Sequence, residues 1–533
     1  MKPTGLYILI ILIIVSCTNQ PEFQQKIIDK AVENGQLANE GYVRSLNFTK
    51  AWLTKTDSVT GLIPTNLTGK KDVWEPHNSA ADNYSFMVLT AWLLDRNLYN
   101  GQLLDMLNTE KKLTSRVKSL PDTWSFTKQD FHSEELKMGN IIFGTSEYIK
   151  DGLIPLNEYI GKSPWQDRMM EMLDDLARYM KEADDLEDYF DRTASVEEVN
   201  GEMLQSLARI YWMTGDKKYL DWAIKIGDYY LLGEKDLAEI EYLRIRDHGC
   251  EIIGGLSELY VTVHFANPAK KEEYRTPYYK ILDRILETGR NEDGLFYNAV
   301  NPKTGEIVDE KTVDNWGYIF DAYYSVWLVD KKEEYRNAVL NGFKNLNEKY
   351  RNFRWEGDSH DGYADALESG INLYNREPDS ELKSWIDSEM QVMFNMQQED
   401  GIIGGWHGDG NFARTAIMYS LWKTQGAHVY PWCEDVIIGA EKSGDEIYFV
   451  ITAENEWEVE LVFDAQRHKT ILNLPVDYPR INQFPEWFTA KTGEKYLIVS
   501  SQKSLSGEYS GEQLLKGIHL NIKAGEKLIL VVK

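Results

Sequence analysis

Cysteine is nearly absent from this chain: there are three in 533 residues, at positions 17, 250 and 433. So few exclude a disulfide framework, and a chain this long must be held by its own core. Positive charge is also short, with 58 Lys and Arg against 85 Asp and Glu, a net charge of −27. No Lys/Arg-rich block interrupts it. A surface of that sign repels phosphate backbones, so no nucleic-acid partner is expected. Long apolar runs are missing as well. The stretch from Leu6 to Val15 falls short of the roughly 20 residues a membrane-spanning helix needs.

What that stretch does have is the layout of an export signal. Lys2 supplies the basic end, the apolar run follows, and Ser16-Cys17 closes it. Ile14-Val15-Ser16-Cys17 resembles the bacterial lipobox, in which the cysteine becomes the acylated N-terminus. Residues 1–17 are therefore expected to be a lipoprotein signal peptide with Cys17 as lipid anchor. Acyl chains hold a protein to a membrane by about 0.8 kcal/mol per buried CH₂. Thr18-Asn19 resembles outer-membrane sorting. The expected location is the cell envelope, on the outer membrane, facing the periplasm or the cell surface.

Aromatics are plentiful, with 16 Trp and 31 Tyr. Flat rings cover the C–H faces of sugars while their polar edges donate hydrogen bonds, so this composition leans toward a glycan partner. From about residue 22 to about 430 the pattern is helical. Leu204, Leu207, Ile210 and Tyr211 mark an amphipathic helix closing at Thr214-Gly215. Similar stretches recur near 84–97, 165–182, 217–232, 316–328, 380–396 and 411–424. A repeated step, Thr60-Gly61-Leu62-Ile63, Asp293-Gly294-Leu295-Phe296 and Asp400-Gly401-Ile402-Ile403, places Gly where the chain leaves a helix sharply. Tandem helical hairpins closing into a ring, with equivalent loops on one rim, account for this; an open solenoid is the alternative. After Cys433 the period changes to two, as in Ile447–Ile451, Glu458–Phe463, Tyr496–Val499 and Leu528–Val532. The expected fold is mainly α, a helical toroid over 18–430 followed by a β-sandwich-like domain over 431–533.

Five segments gather polar, aromatic and glycine residues where the helical period breaks: Trp74–Tyr84, Arg244–Glu251, Asp314–Tyr318, Asp358–Asp365 and Trp406–Arg414. They hold His77, His248, His360 and His407, each near a carboxylate. Loops on one rim of a toroid converge on a central cleft. Glycoside hydrolysis needs a carboxylic acid and a carboxylate; Asp82, Asp314, Asp365 and Asp409 are candidates, with Glu75 and Glu251 behind them. β-Elimination from a uronic acid needs a His or Tyr base and a group that neutralises the carboxylate. His248, Tyr318, Asn78 and Asn200 with Arg246 or Arg414 suit it. Plain helix capping by Asp82, Asp314 and Asp409 is the bland alternative. The oxygen-rich set Asp358, His360, Asp361 and Asp365 suits Ca²⁺ in kind but not in spacing, so no metal and no cofactor is assigned.

The helix–Gly-turn repeats and loops such as Asp314-Asn315-Trp316-Gly317-Tyr318 resemble the six-hairpin, (α/α)6 toroid superfamily of carbohydrate-active enzymes, over roughly residues 30–430. That superfamily includes unsaturated glucuronyl hydrolases and toroid polysaccharide lyases. The lipoprotein signal fits glycan-utilisation systems of Bacteroidetes-type bacteria. The resemblance implies an oligo- or polysaccharide substrate. The favoured reading is a glycoside hydrolase acting on an acidic, uronic-acid-containing glycan, with Asp82 and Asp314 as acid and base. His248 and Tyr318 join them as candidate catalytic residues. Trp74, His77, Asn78, Arg246, Trp316, His360, Trp406, His407, Asp409 and Arg414 are the expected sugar contacts. A toroid lyase using His248 and Tyr318, a surface glycan-binding lipoprotein, and an epimerase or isomerase remain open.

Overall fold

The computed structural model of the chain describes residues 24–180, 196–233, 235–404 and 409–533. The leader with Cys17, and Trp406 and His407 of the last loop, lie outside the described residues. No helix among the described residues is long and apolar enough to cross a membrane.

The helical region is an α/α toroid. Its outer helices are amphipathic in the ordinary way, as in Pro164–Leu176 and Lys217–Leu231, which bury one stripe each. The inner helices differ. Glu251–Ala266, Trp316–Asp330 and Asn411–Lys423 are buried along nearly their whole length, because each meets two inner neighbours and an outer helix. Around the ring the inner stations are 76–94, 138–160, 196–214, 251–266, 316–330, 360–376 and 411–423, and the last packs back against the first. Among the described residues that makes seven stations, one more than a six-hairpin ring. Two of them, around 138–160 and 251–266, show little amphipathic period in sequence. A helix covered on all sides has no polar face to repeat. Close approach is bought by glycine at Gly201 and Gly255, where an added Cβ would strike the facing backbone of 251–252 and of Gly201.

The repeated glycine turns lie where expected, after outer helices, with φ of 72° at Gly61, 91° at Gly294 and 86° at Gly401. The C-terminal domain is two facing antiparallel sheets. One orders Ile437–Ser443, Glu446–Thr452, Lys527–Val532, Lys495–Ser500 and Gly507–Ser510. The other orders Ile518–Ile522, Trp457–Val462 and His428–Tyr430, so strand structure begins before residue 431. Phe449, Leu461, Leu520 and Leu530 fill the space between the sheets. The first helix, Gln25–Leu53, packs between this sandwich and the helix Asn411–Lys423.

One segment of the tail departs from the sandwich. Between the paired strands Asp464–Ala465 and Thr489–Ala490, the chain runs back into the toroid. Ile481 and Phe484 join the toroid core, and Arg480, nearly sealed from solvent, pairs with Glu158 at 2.6 Å and Asp477 at 3.0 Å. Tyr478 donates to Glu258 at 2.9 Å and Arg376 donates to Gln483 at 2.8 Å. This excursion plugs the ring and forms the bottom of the cleft described next.

Candidate active site

Most inner helices present their N-terminal ends to a cavity of about 370 Å³, while 138–160 lines it from its middle. Helix N-termini carry partial positive charge, so carboxylates gather there at reduced cost. Every inner station but one supplies a lining side chain, including Asp82, Glu147, Asp151, Glu251, Tyr318, Asp365 and Arg414; Ile481 and Asn482 of the plug form the floor. The exception, 196–214, sets Glu202 directly behind this lining. Two stations are locally underwound: Pro76–Tyr84 and Tyr148–Leu153 are π-helical, and they pack on each other. π-Turns re-aim side chains and concentrate at functional sites. Asp247, Glu356, Asp409 and Asn482 line the cavity with φ of 52°, 46°, 54° and 60°. Non-glycine residues in the left-handed region are held there only when their surroundings over-determine them.

One wall is built from His248, Glu147, Asp151 and Glu202, whose ligand-type atoms all lie within 4.8 Å of one another. His248 Nε2 sits 3.1 Å from Glu147 and 3.3 Å from Asp247, with Nδ1 3.8 Å from Glu198. Burial works against a charged imidazole, but the carboxylates of Glu147 and Glu198 outweigh it and push the His248 pKa well up. Burial and Glu202 push Glu147 well above the carboxylate range, although His248 opposes the shift. Lys150, sealed in the wall, bridges Asp151 at 2.7 Å and Glu251 at 2.6 Å. Asp82, beside them, is driven far up by burial and by Asp151.

The opposite wall is ordered by one guanidinium. Arg414 reaches Asp365 at 2.8 Å, Glu368 at 2.9 Å and Asn482 at 2.7 Å. The Tyr318 hydroxyl lies 2.9 Å from Asp365 and 2.8 Å from Glu368. Burial lifts Glu368 to about 7, Arg414 opposing. Burial likewise drives the Tyr318 phenol well above its ordinary value. Asn482 closes the arrangement: its backbone N–H donates to Glu368 at 2.6 Å and its amide to Asp151 at 2.9 Å. The plug therefore touches both walls.

The structure sorts the expected residues. Asp82, His248, Tyr318, His77, Asn78, Asp409 and Arg414 line the one cleft, together with Asp365 and Glu251. His360 stands behind it, 2.5 Å from Asp409. Glu75 also sits behind, holding Lys70 at 3.0 Å and accepting from Asn78 at 3.1 Å. Asp314 and Arg246 do not join Asp82; they line an adjoining cavity of about 520 Å³ that shares Asp247 and Glu356 with the first. Asp247, which follows Arg246, is in the left-handed region, and Asn315, which follows Asp314, lines the first cavity. Trp74 and Trp316 are sealed in the core at 1% and 0% exposure and offer no ring to a sugar. Both sit where a strand or helix faces inward, a placement no local pattern reveals. Asn200 is buried against Tyr230. The set Asp358, His360, Asp361 and Asp365 does not converge: its partners are Arg354, Asp409, Asn411 and Arg414 in turn.

No family model matches the chain, and no curated protein does. Solved structures similar to it include the α-1,6-mannanase of Salegentibacter sp., 10% identical over 71% of this chain and 98% of that one, with a TM-score of 0.40. A family 76 glycoside hydrolase (mannosidase) of Bacteroides thetaiotaomicron is 12% identical over 72% and 98%, with a TM-score of 0.39. The cellobiose 2-epimerase of Spirochaeta thermophila is 12% identical over 60% and 85%, with a TM-score of 0.38. These likenesses are loose and say nothing about chemistry.

Glu147, Asp151, Glu202, Glu368 and Asn482 are cleft residues or their direct supports that sequence reasoning missed. The first four sit inside uninterrupted helical sequence. Their one visible sign is ionisable residues in otherwise apolar helices, as in Glu147-x-x-Lys150-Asp151. Asn482 carries no sign at all, because its position depends on the tail re-entering the ring.

Proposed function

We propose that the protein is a glycoside hydrolase acting on a glycan without carboxylate groups. One observation carries this reading: a single cleft holds Asp82 on one wall and Asp365, fixed by Arg414 and Tyr318, on the other. Burial and the neighbouring Asp151 push the Asp82 pKa well up, the direction a general acid requires. Asp365 accepts charge-assisted bonds that orient it as the base or nucleophile. Lys70, His77 and Asn78 at the lining supply donors and acceptors for sugar hydroxyls.

The same geometry argues against a uronic-acid substrate. The lining carries Asp82, Glu147, Asp151, Asp247, Glu251, Glu356, Asp361, Asp365 and Asp409, and an added carboxylate meets repulsion from those that are ionised. Arg414 is already occupied, and Arg246 faces the neighbouring cavity. A lyase lacks its base: the Tyr318 hydroxyl is held between two carboxylates and His248 is enclosed by three. The test is release of reducing ends from neutral oligosaccharides, with Asp82→Asn and Asp365→Asn each expected to lower kcat by about 10²–10⁴-fold while circular dichroism stays native. New absorbance of an unsaturated uronate, or full turnover in both variants, overturns the reading.

We also propose that the chain is exported and lipid-anchored through Cys17, on the strength of the leader's sequence alone. Cys17→Ser should abolish fatty-acid labelling and move the protein out of the membrane fraction.

A further inference from the structure

Four ionisable side chains on the first wall are arranged in a way that sugar binding does not require. Glu147 and Asp151 lie on the 138–160 station, Glu202 on the next, and His248 just before the one after. Their ligand-type atoms fall within 4.8 Å of one another. Asp151 and Glu202 each spend one oxygen on a group outside the set, Asp151 Oδ1 on Lys150 at 2.7 Å and Asn482 at 2.9 Å and Glu202 Oε2 on the Ser146 hydroxyl, while Glu147 Oε1 lies 3.1 Å from His248, itself a member of the set. The second oxygen of each, Glu147 Oε2, Asp151 Oδ2 and Glu202 Oε1, is buried with no hydrogen-bond partner. Exposure of the three residues is 4%, 7% and 0%. A buried carboxylate oxygen left unpaired is costly, and three of them belong to one cluster of ligand-type groups. Orientation of one oxygen by a neighbour, leaving the other to bind, is how protein groups around a metal fix its ligands.

We propose that Glu147, Asp151, Glu202 and His248 form a site for one divalent cation that accepts mixed oxygen and nitrogen ligands, Mn²⁺ or Zn²⁺. Three carboxylates and one imidazole are a donor set for that class of ion. Lys150 does not fill the place, because its ammonium is spent on Asp151 Oδ1 and Glu251 Oε1. The cation pairs the three orphan oxygens and ties together three consecutive stations of the ring. The site stands whether or not the glycan-cleaving reading does, and its test does not use activity.

The experiment is titration of the metal-stripped protein with Mn²⁺, followed by loss of the free-ion electron paramagnetic resonance signal, together with a thermal melt. The expected result is one Mn²⁺ per chain, a higher Tm with the ion than without, and displacement by Zn²⁺. Glu202→Gln and Glu147→Gln, nearly isosteric, should each weaken binding by about 10–100-fold or more while the metal-free protein melts at or above the wild-type temperature. If either variant fails to fold, the other and the wild-type stoichiometry still decide. No stoichiometric binding by the wild type, or unchanged affinity in both variants, overturns the site.

Discussion

Arg414 shows how much one side chain organises. It is buried, it pairs with Asp365 and Glu368, and it accepts no substitute from solvent. Removing one partner of a buried ionic group strands the others, at a cost of about 3–5 kcal/mol. Arg414→Ala should therefore lower stability by about that much in denaturant melts, and an unchanged midpoint would show the network to be slack. Asp321 makes the opposite case. Neither of its oxygens has a hydrogen-bond partner, and burial raises its pKa to about 8, with Arg376 opposing. The folded protein thus holds a proton that the unfolded chain releases near pH 4. That contribution is complete at low pH and is lost as pH climbs through the window up to about 8. Stability should fall from pH 5 to pH 8. Asp321→Asn should flatten the fall and regain on the order of 2–4 kcal/mol at pH 8, read from urea midpoints at the two pH values.

Among the elements, the plug between Asp464 and Thr489 decides most. Its Asn482 holds φ near 60°, a conformation that costs an ordinary residue about 1–2 kcal/mol but glycine nearly nothing. Its amide also links Arg414 to Asp151. Asn482→Gly and Asn482→Ala separate the two roles. Both should lose turnover, and Ala alone should lose a further ~1 kcal/mol of stability; equal stability would remove the strain argument. The inner helices teach a related lesson about legibility. Outer helices such as Lys217–Leu231 announce themselves by period. His360–Arg376 carries an amphipathic period, but its start reads as a polar loop because Asp361 and Asp365 line the cleft. Functional polarity inside a buried helix imitates a loop.

For the whole molecule the consequence is mechanical unity. The plug puts Arg480 against Glu158 and Tyr478 against Glu258, and Gln25–Leu53 lies against both toroid and sandwich. Calorimetry should show one unfolding transition rather than two. A chain ending at residue 427 should fail to fold, since it leaves Glu158, Glu258 and Glu368 facing an empty ring. Two separated transitions, or a stable toroid alone, would show the coupling to be weak. The net charge of −27 adds a general repulsion that salt screens.

The sequence by itself determined the helix-to-strand order, the glycine exits at Gly61, Gly294 and Gly401, and most of the polar loops. Each of those depends on local backbone sterics or on a period of a few residues. Only the tertiary structure decided that Asp314 and Arg246 stand outside the main cleft, that Trp74 and Trp316 are core, and that Glu147, Asp151 and Glu202 share a wall. It alone brought Asn482 to the floor from more than 300 residues beyond Asp151. Those placements come from ring closure and from a tail that re-enters the ring, both contacts between residues distant in the chain, which leave no pattern along it.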